Sequence, residues 1–308
     1  MSKPTVTILT PTYNRAHTLP RVFESLQKQT YKDFEWLVID DGSTDHTKEL
    51  VEEFQKNSEF KIRYYHHENQ HKFLTFFRGI DLAEGQYFCP LDSDDALISD
   101  SIEILVKTWQ SIPDHQNIVF VCSLCEDQFG NLVGDRFPKD PLISSIFDMR
   151  YQFKVKGDKW GMGKTEIYRK MKLNLTNLAG KGFIPEGVFQ FQFDQLGFHY
   201  CINKVTRIYF RDLNDEFSLA NQFYNKKNAF GLAENYKAFL NTYHKKLFTN
   251  PKTLIRNIGG YLKFSSMDKR PLNQIIKELD SILIKILVSF FYPLYKIKIF
   301  DYLLNDLK

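Results

Sequence analysis

The chain reads as an α/β protein, with a mostly parallel sheet flanked by helices and a helical C-terminal extension. Three observations carry that reading. Over the first hundred residues, short β-branched or apolar runs alternate with segments of helical period, the pattern of strand–helix–strand units in a parallel sheet. Three of those runs stop in polar clusters, and the carboxyl ends of strands are where open parallel sheets bind ligands. From about residue 226 the pattern is helical to the end.

Val6 to Thr10 is the first strand, and after the polar turn Tyr13 to His17 the residues Leu19, Val22, Phe23 and Leu26 recur at helical spacing. Trp36 to Ile39 is the second strand. It runs into Asp40-Asp41-Gly42-Ser43, where Gly42 permits the turn and Ser43, Thr44 or Asp45 can cap the helix carrying Leu50, Val51 and Phe54. Ile62 to Tyr65 is a third strand. Phe73, Phe76, Phe77, Ile80 and Ala83 form the next helical stripe, closed by Gly85, before Tyr87 to Leu91 enters the sheet and stops at Asp92-Ser93-Asp94-Asp95. A helix with Ile102, Leu105, Val106 and Trp109 leads to a strand over Ile118 to Leu124, and Asp127 to Gly134 reads as a hairpin. Residues 157 to 218 are less regular, rich in Gly and aromatics.

At 308 residues the chain has room for about two domains. With 43% hydrophobic and 25% charged residues, it can build a core, which excludes disorder over most of its length. A net charge of +4 is too mild for nucleic acid to be the main partner. That excess is local: residues 251 to 308 hold ten Lys or Arg against five Asp or Glu. Four scattered cysteines (Cys89, Cys122, Cys125, Cys201) make no disulfide framework and fit a reducing cytoplasm. Cys122 and Cys125 fall on opposite faces of their strand, an arrangement unsuited to zinc. The N-terminus lacks the apolar core of a signal peptide, and Lys285 and Pro293 interrupt the best apolar run, so no transmembrane helix is expected.

Asp92 and Asp94, two apart where a strand runs out, face the same side if the extended geometry persists. Two carboxylates beside a cleft suit Mg²⁺ or Mn²⁺, which combine few protein oxygens with water and substrate phosphates. The plainer alternative is an Asp-rich loop that caps the next helix through Asp95 or Ser99. His67-Glu68-Asn69-Gln70-His71 matches a zinc-protease string, but it follows a strand, and that chemistry needs both imidazoles on one helical face. Gly161-Met162-Gly163-Lys164-Thr165 lacks the first glycine of a phosphate-binding loop, because Asp158 stands there.

Three blocks occur in order, each at a strand end: Thr10-Pro11-Thr12-Tyr13-Asn14-Arg15, then Val38-Ile39-Asp40-Asp41-Gly42-Ser43-Thr44-Asp45, then Gly85-Gln86-Tyr87 leading into Leu91-Asp92-Ser93-Asp94-Asp95. Together they resemble the nucleotide-sugar glycosyltransferases of family 2, which have the GT-A fold. The likeness is strong over roughly the first 100 residues and looser over the next 115. It implies a catalytic domain over 1–225, with a nucleotide-binding half (1–100) and an acceptor-side half (101–225), and an extension over 226–308. It implies that Pro11, Tyr13, Asn14, Arg15 and Asp41 hold the nucleoside, commonly uridine. Asp92 and Ser93 would meet ribose and diphosphate, and Asp94, with Asp92 beside it, would hold Mn²⁺ or Mg²⁺. Lys72 sits where a subgroup carries a lysine that reaches the donor, as a point charge near diphosphate. Gln70 and His71 replace glycines of that subgroup, and Phe76-Phe77 stands where many relatives have Arg-Asn. Phe183-Ile184-Pro185-Glu186-Gly187 resembles the segment that delivers the base, which points to Glu186 although Gly187 replaces the usual Asp. From its indole alone, Trp160 suits either the acceptor side, with the ring face against a sugar, or an ordinary place in the core. Asp212 and Asp215 lie in a stretch that could close over the donor.

The resemblance implies an inverting transfer from a UDP-sugar to a hydroxyl of a glycan or lipid-linked glycan, in bacterial-type polysaccharide or lipooligosaccharide assembly. Its place would be the cytoplasm, at the inner face of the plasma membrane. A sugar nucleotidyltransferase and an inactive nucleotide-sugar-binding module are the alternatives. Leu272, Ile275, Ile276, Leu279, Ile282, Leu283, Ile286, Leu287 and Phe290 keep helical spacing after Pro271. That stripe suits either a helix resting on anionic lipid through 271–300 or packing against protein.

Overall fold

A computed structural model describes residues 3–171, 173, 175–211 and 226–296. The chain forms two compact units, Met1–Lys172 with Leu196–Ser218, and Leu173–Gln195 with Leu219–Lys308. Residues 173–195 therefore join the C-terminal helices, where the sequence suggested a single boundary near 226.

The first unit is built on a nine-stranded sheet. In chain order its elements begin β1 (Val6–Thr12), α1 (Leu19–Gln27), β2 (Phe34–Asp40), α2 (Thr47–Asn57), β3 (Lys61–His66), α3 (Lys72–Leu82) and β4 (Tyr87–Pro90). Then come β5 (Ala96–Leu97), α4 (Ser101–Ser111), β6 (Ile118–Asp127), β7 (Leu142–Ser144), α5 (Ile146–Tyr151), β8 (Lys159–Lys164), α6 (Thr165–Arg169) and β9 (Phe198–Tyr209). The sheet order is β3-β2-β1-β4-β8-β6-β9-β5, with β7 also on β9. The first four strands are all parallel, β6 pairs with β9 in parallel, and β5, β7 and β8 add antiparallel pairings. β2 and β4 flank β1 on opposite sides, so the chain reverses its progress across the sheet there and opens a crevice at the strands' carboxyl ends.

β1 and β2 are buried along their whole length, as strands covered by helices on both faces must be. The Trp36 ring packs beside Phe23 and Phe54, and its indole N–H donates to the Thr10 hydroxyl at 2.9 Å. Glu35, fully buried, accepts from the Thr7 hydroxyl at 2.7 Å and pairs with Arg63 at 3.2 Å. The stretch expected to be irregular supplies two strands of the sheet, β8 and β9. The Gly161-to-Lys164 segment is β8, and a Cβ at Gly161 would stand 1.9 Å from the Val121 carbonyl oxygen of β6. This glycine serves strand packing, not phosphate.

The second unit contains α7 (Leu175–Leu178), most of α8 (Gly187–Leu196), α9 (Ala229–Leu247), α10 (Pro251–Met267), α11 (Leu272–Lys277) and α12 (Ile282–Lys296). Phe191 of α8 meets Phe239 and Tyr243 of α9 edge-on, and Tyr243 donates to Asp194 at 2.7 Å. Pro251 opens α10, and the Asn250 side chain caps it by accepting from the Thr253 N–H at 3.3 Å. The single helix expected from 272 onward is broken between Lys277 and Ile282. Beside the break, Arg270 binds Glu234 and Glu278 at 2.8 Å each and Asp268 at 2.7 Å, tying the end of α11 back to α9. No helix among the described residues is long and apolar enough to cross a membrane.

Candidate active site

Three loops meet beyond the carboxyl ends of β1, β2 and β4. Asn14, held at φ 53°, donates its N–H to the Ser43 hydroxyl and accepts from the Thr44 N–H, both at 2.8 Å. The Ala16 N–H reaches Asp45 at 3.1 Å, so the first loop is stitched to the second. Asp45 is not a formal helix cap, but it braces the start of α2 by accepting from the Thr47 N–H at 3.1 Å. Asp40 points inward, accepting from the Ser43 N–H at 2.8 Å and the Tyr64 hydroxyl at 2.6 Å. Gly42 adopts φ +85°, and a Cβ there would come within 2.8 Å of the Asn69 nitrogen. Only glycine fits that approach.

The segment between β3 and α3 then links the second loop to the third. Asp41 accepts from the Gln70 N–H at 2.7 Å and lies 3.6 Å from the His67 ring. Burial raises its carboxyl above the usual range, against the lowering pull of Gln70, Thr75 and the nearby histidines. Two residues on, Lys72 donates to Asp92 at 2.6 Å. His71 has φ 69° and precedes α3. The zinc-protease string is thus not helical, and its histidines do not share a helix face.

Around the Asp-x-Asp tip, Arg15 lies 3.8 Å from Asp94, and Arg21 donates to the Asp94 carbonyl at 2.7 Å while stacking 3.7 Å over the Phe210 ring. Asp95 is fully buried. It accepts from the Phe210 N–H at 3.0 Å and faces Arg207 at 3.4 Å. Oxygens of Asp92, Asp94 and Asp95 lie within 4.8 Å of one another. Burial pushes Asp92 up, but Lys72, Arg207 and Arg15 outweigh it and hold the carboxyl below its usual range. Burial and the charge of Asp92 raise Asp94 despite Arg15 and Lys72. Burial pushes Asp95 up to about 7, with Arg207 opposing and Asp92 and Asp94 adding.

This donor set fits a divalent cation. It is all oxygen, it crowds three acids together, and the buried Asp95 Oδ2 accepts no hydrogen bond from the described residues, Arg207 standing 3.4 Å away as an ion pair. Asp95 was read from sequence only as a helix cap. In the structure it is not the cap of α4, a position held by Asp100.

The structure brings Asn14, Arg15, Asp41, Lys72, Asp92, Ser93 and Asp94 onto adjoining loops. Pro11 is the last residue but one of β1, paired with Ile39, and Tyr13 stands 38% exposed at the rim. Ser93 is buried. Trp160 corrects the expectation of an acceptor-side indole. It is 4% exposed in the main core and donates to the Pro90 carbonyl, so its ring offers no face to a sugar. Glu186 belongs to the second unit, exposed just before α8, where the Gln190 amide donates to it at 3.1 Å. Asp212 and Asp215 lie outside the described residues. Arg21, Arg207 and Phe210 were missed. A basic residue inside the strand run Val205 to Tyr209 was the one available signal for Arg207.

A parallel half-sheet whose strand ends converge on an Asp-x-Asp tip, continued by a mixed second half, defines the GT-A class of nucleotide-sugar glycosyltransferases. The model of the family described as "Glycosyl transferase family 2" matches residues 7–175, and the chain belongs to that family. An uncharacterized glycosyltransferase of Rickettsia felis is 42% identical over 102 residues, 33% of this chain but 17% of that protein. The GalNAc(5)-diNAcBac-PP-undecaprenol beta-1,3-glucosyltransferase of Campylobacter jejuni is 34% identical over 106 residues, 34% of each chain. Among solved structures, S. aureus TarS in complex with UDP-GlcNAc superposes with a TM-score of 0.55 at 16% identity, over 89% of this chain and 84% of that one. The mannosyltransferase PcManGT from Pyrobaculum calidifontis, in complex with GDP-Man and Mn²⁺, gives 0.52 at 15% identity, over 100% of this chain and 85% of that one. At such identities the structural likeness speaks for the fold.

Proposed function

We propose that this glycosyltransferase moves a sugar from a UDP-sugar to a hydroxyl of a glycan or lipid-linked glycan, with inversion, in surface polysaccharide or lipooligosaccharide assembly. The observation that carries the reading is the stitched set of loops in which Lys72 and Arg15 face Asp92 and Asp94 while Asp41 is joined through Gln70 to the same segment. Cations and carboxylates alternate there, as a site for a diphosphate and its counter-ion requires. Tyr13, Pro11, Asn14 and Asp41 would bind uracil and ribose, and Ser93 and Asp92 the ribose–diphosphate junction. Lys72 and Arg15 would orient the diphosphate and balance its charge. Asp92 and Asp94 would hold Mn²⁺ or Mg²⁺, which when bound neutralises charge on the departing nucleotide. Glu186 would accept the proton of the attacking hydroxyl. The undecaprenol-linked acceptor in the name of the Campylobacter jejuni relative supports a lipid-linked acceptor, and with it we place the site of action in the cytoplasm at the inner membrane face.

The test is release of free UDP from a panel of UDP-sugars, with Mn²⁺ and candidate acceptors. Asp94→Ala should lower turnover about a hundredfold or more while leaving the thermal melt of the metal-free protein intact. Glu186→Gln should lower it by about 10²-fold or more. Unchanged turnover in the first variant removes the metal assignment, and in the second it removes the base. Tight UDP-sugar binding without any release would support an inactive binding module instead.

A further inference from the structure

We propose that the outward face of α12 is a docking surface for an anionic lipid bilayer. At roughly 100° per residue, Ile282, Ile286, Phe290 and Leu283 fall within one arc of about 100°, and they are 75%, 58%, 64% and 47% exposed. Ile284 and Val288, on the opposite side, are 1% and 0% exposed. One face of the helix thus packs within its unit, and the other presents four large apolar side chains to solvent. A helix apolar on both sides has a second partner to find.

The charge around the helix selects that partner. Residues 226–296 hold thirteen Lys or Arg against four Asp or Glu. Three of those four acids, Glu234, Asp268 and Glu278, are turned onto Arg270 and Lys237. Outside that network the stretch holds eleven basic residues and Asp280, so its field is strongly positive. Lys285 lies about 60° beyond Ile282 around the helix, within reach for its stem to follow the flank and its ammonium to meet phosphate. An apolar ridge on a strongly basic stretch of chain matches the acyl boundary and the anionic headgroups of a bilayer. A second copy would bring the same positive surface against itself. The proposal deepens the placement at a membrane, and it is measured without donor or acceptor, so its failure leaves the transfer reading standing.

The experiment is flotation of the full-length chain with phosphatidylcholine vesicles, with and without phosphatidylglycerol. The protein should float with the anionic vesicles, bind pure phosphatidylcholine at least about tenfold more weakly, and be released by high salt, which screens the attraction. Ile286→Ser with Phe290→Ser, both at exposed positions, should lower binding about tenfold with an unchanged far-UV spectrum and melting temperature. Equal flotation of that double variant would overturn the proposal. So would a concentration-dependent dimer that the double variant dissolves, since that would assign the face to a second copy. Binding that appears only after residues 297–308 are removed would also overturn it, because the chain's own tail would then be the occupant.

Discussion

Asp95 shows how one side chain can both brace a site and tune it. Its carboxylate ties the Asp-x-Asp tip to the end of β9 through the Phe210 N–H and Arg207, and its other lone pairs remain beside Asp92 and Asp94. Its folded-state pKa rises from the ordinary 3.8 to about 7. Between those values the folded protein holds a proton that the unfolded chain has released, so this contribution to stability is fully present below about pH 4 and is lost as pH rises through 7. A divalent cation held at this cluster would compete with that proton and would relieve the crowding once it has left. The rise in melting temperature on adding Mn²⁺ should therefore be small at pH 6 and larger at pH 8. An equal rise at both, measured by differential scanning fluorimetry, would contradict binding at this cluster. Asp92 and Asp94 could be picked out because their spacing at a strand end is local. Arg207 could not, because it meets Asp95 only once β9 pairs with β5.

Among the elements, α11 and α12 show most clearly what packing adds to periodicity. The apolar spacing from Leu272 to Phe290 fits one continuous amphipathic helix, yet Ile275, Leu279, Ile284 and Val288 are the residues buried at 1% or less, and Ile282, Ile286 and Phe290 face outward. Removing residues 271–308 would strip that buried face from α10, which makes point substitutions the cleaner probes of the surface. Arg270, 7% exposed, holds three carboxylates from α9 to the end of α11. Arg270→Met would leave Glu234, 9% exposed, with only Lys237 of its two cations, and would take the guanidinium from Asp268 and Glu278. It should cost about 1–3 kcal/mol in urea unfolding. Arg270→Lys should restore little, since one ammonium cannot reproduce the divergent donors of a guanidinium. A loss below about 1 kcal/mol in the Met variant would show that the network is dispensable.

Across the whole chain, the proposed donor site lies in the first unit and the proposed base and lipid-facing helix in the second. UDP with Mn²⁺ should slow backbone hydrogen exchange at 13–16, 41–45, 69–72 and 92–95 in the first unit. Unprotected loops at saturating nucleotide would remove the donor assignment. The early strands, the turn at Gly42 and the acidic tips were readable because apolar period, glycine and local polarity act over a few neighbouring residues. The clamp on Asp95 was not, since Phe210 and Asp95 are 115 positions apart and meet only because β9 runs beside β6 and β5. The same holds for Trp160, whose indole suits a sugar face or a core equally well until β6 and β4 enclose its strand. Residue order thus set the elements and the chemistry at their ends. Folding chose which distant arginine meets which acid, which face of α12 turns outward, and with which unit residues 173–195 pack, because those contacts depend on how the chain crosses the sheet and local pattern does not encode that path.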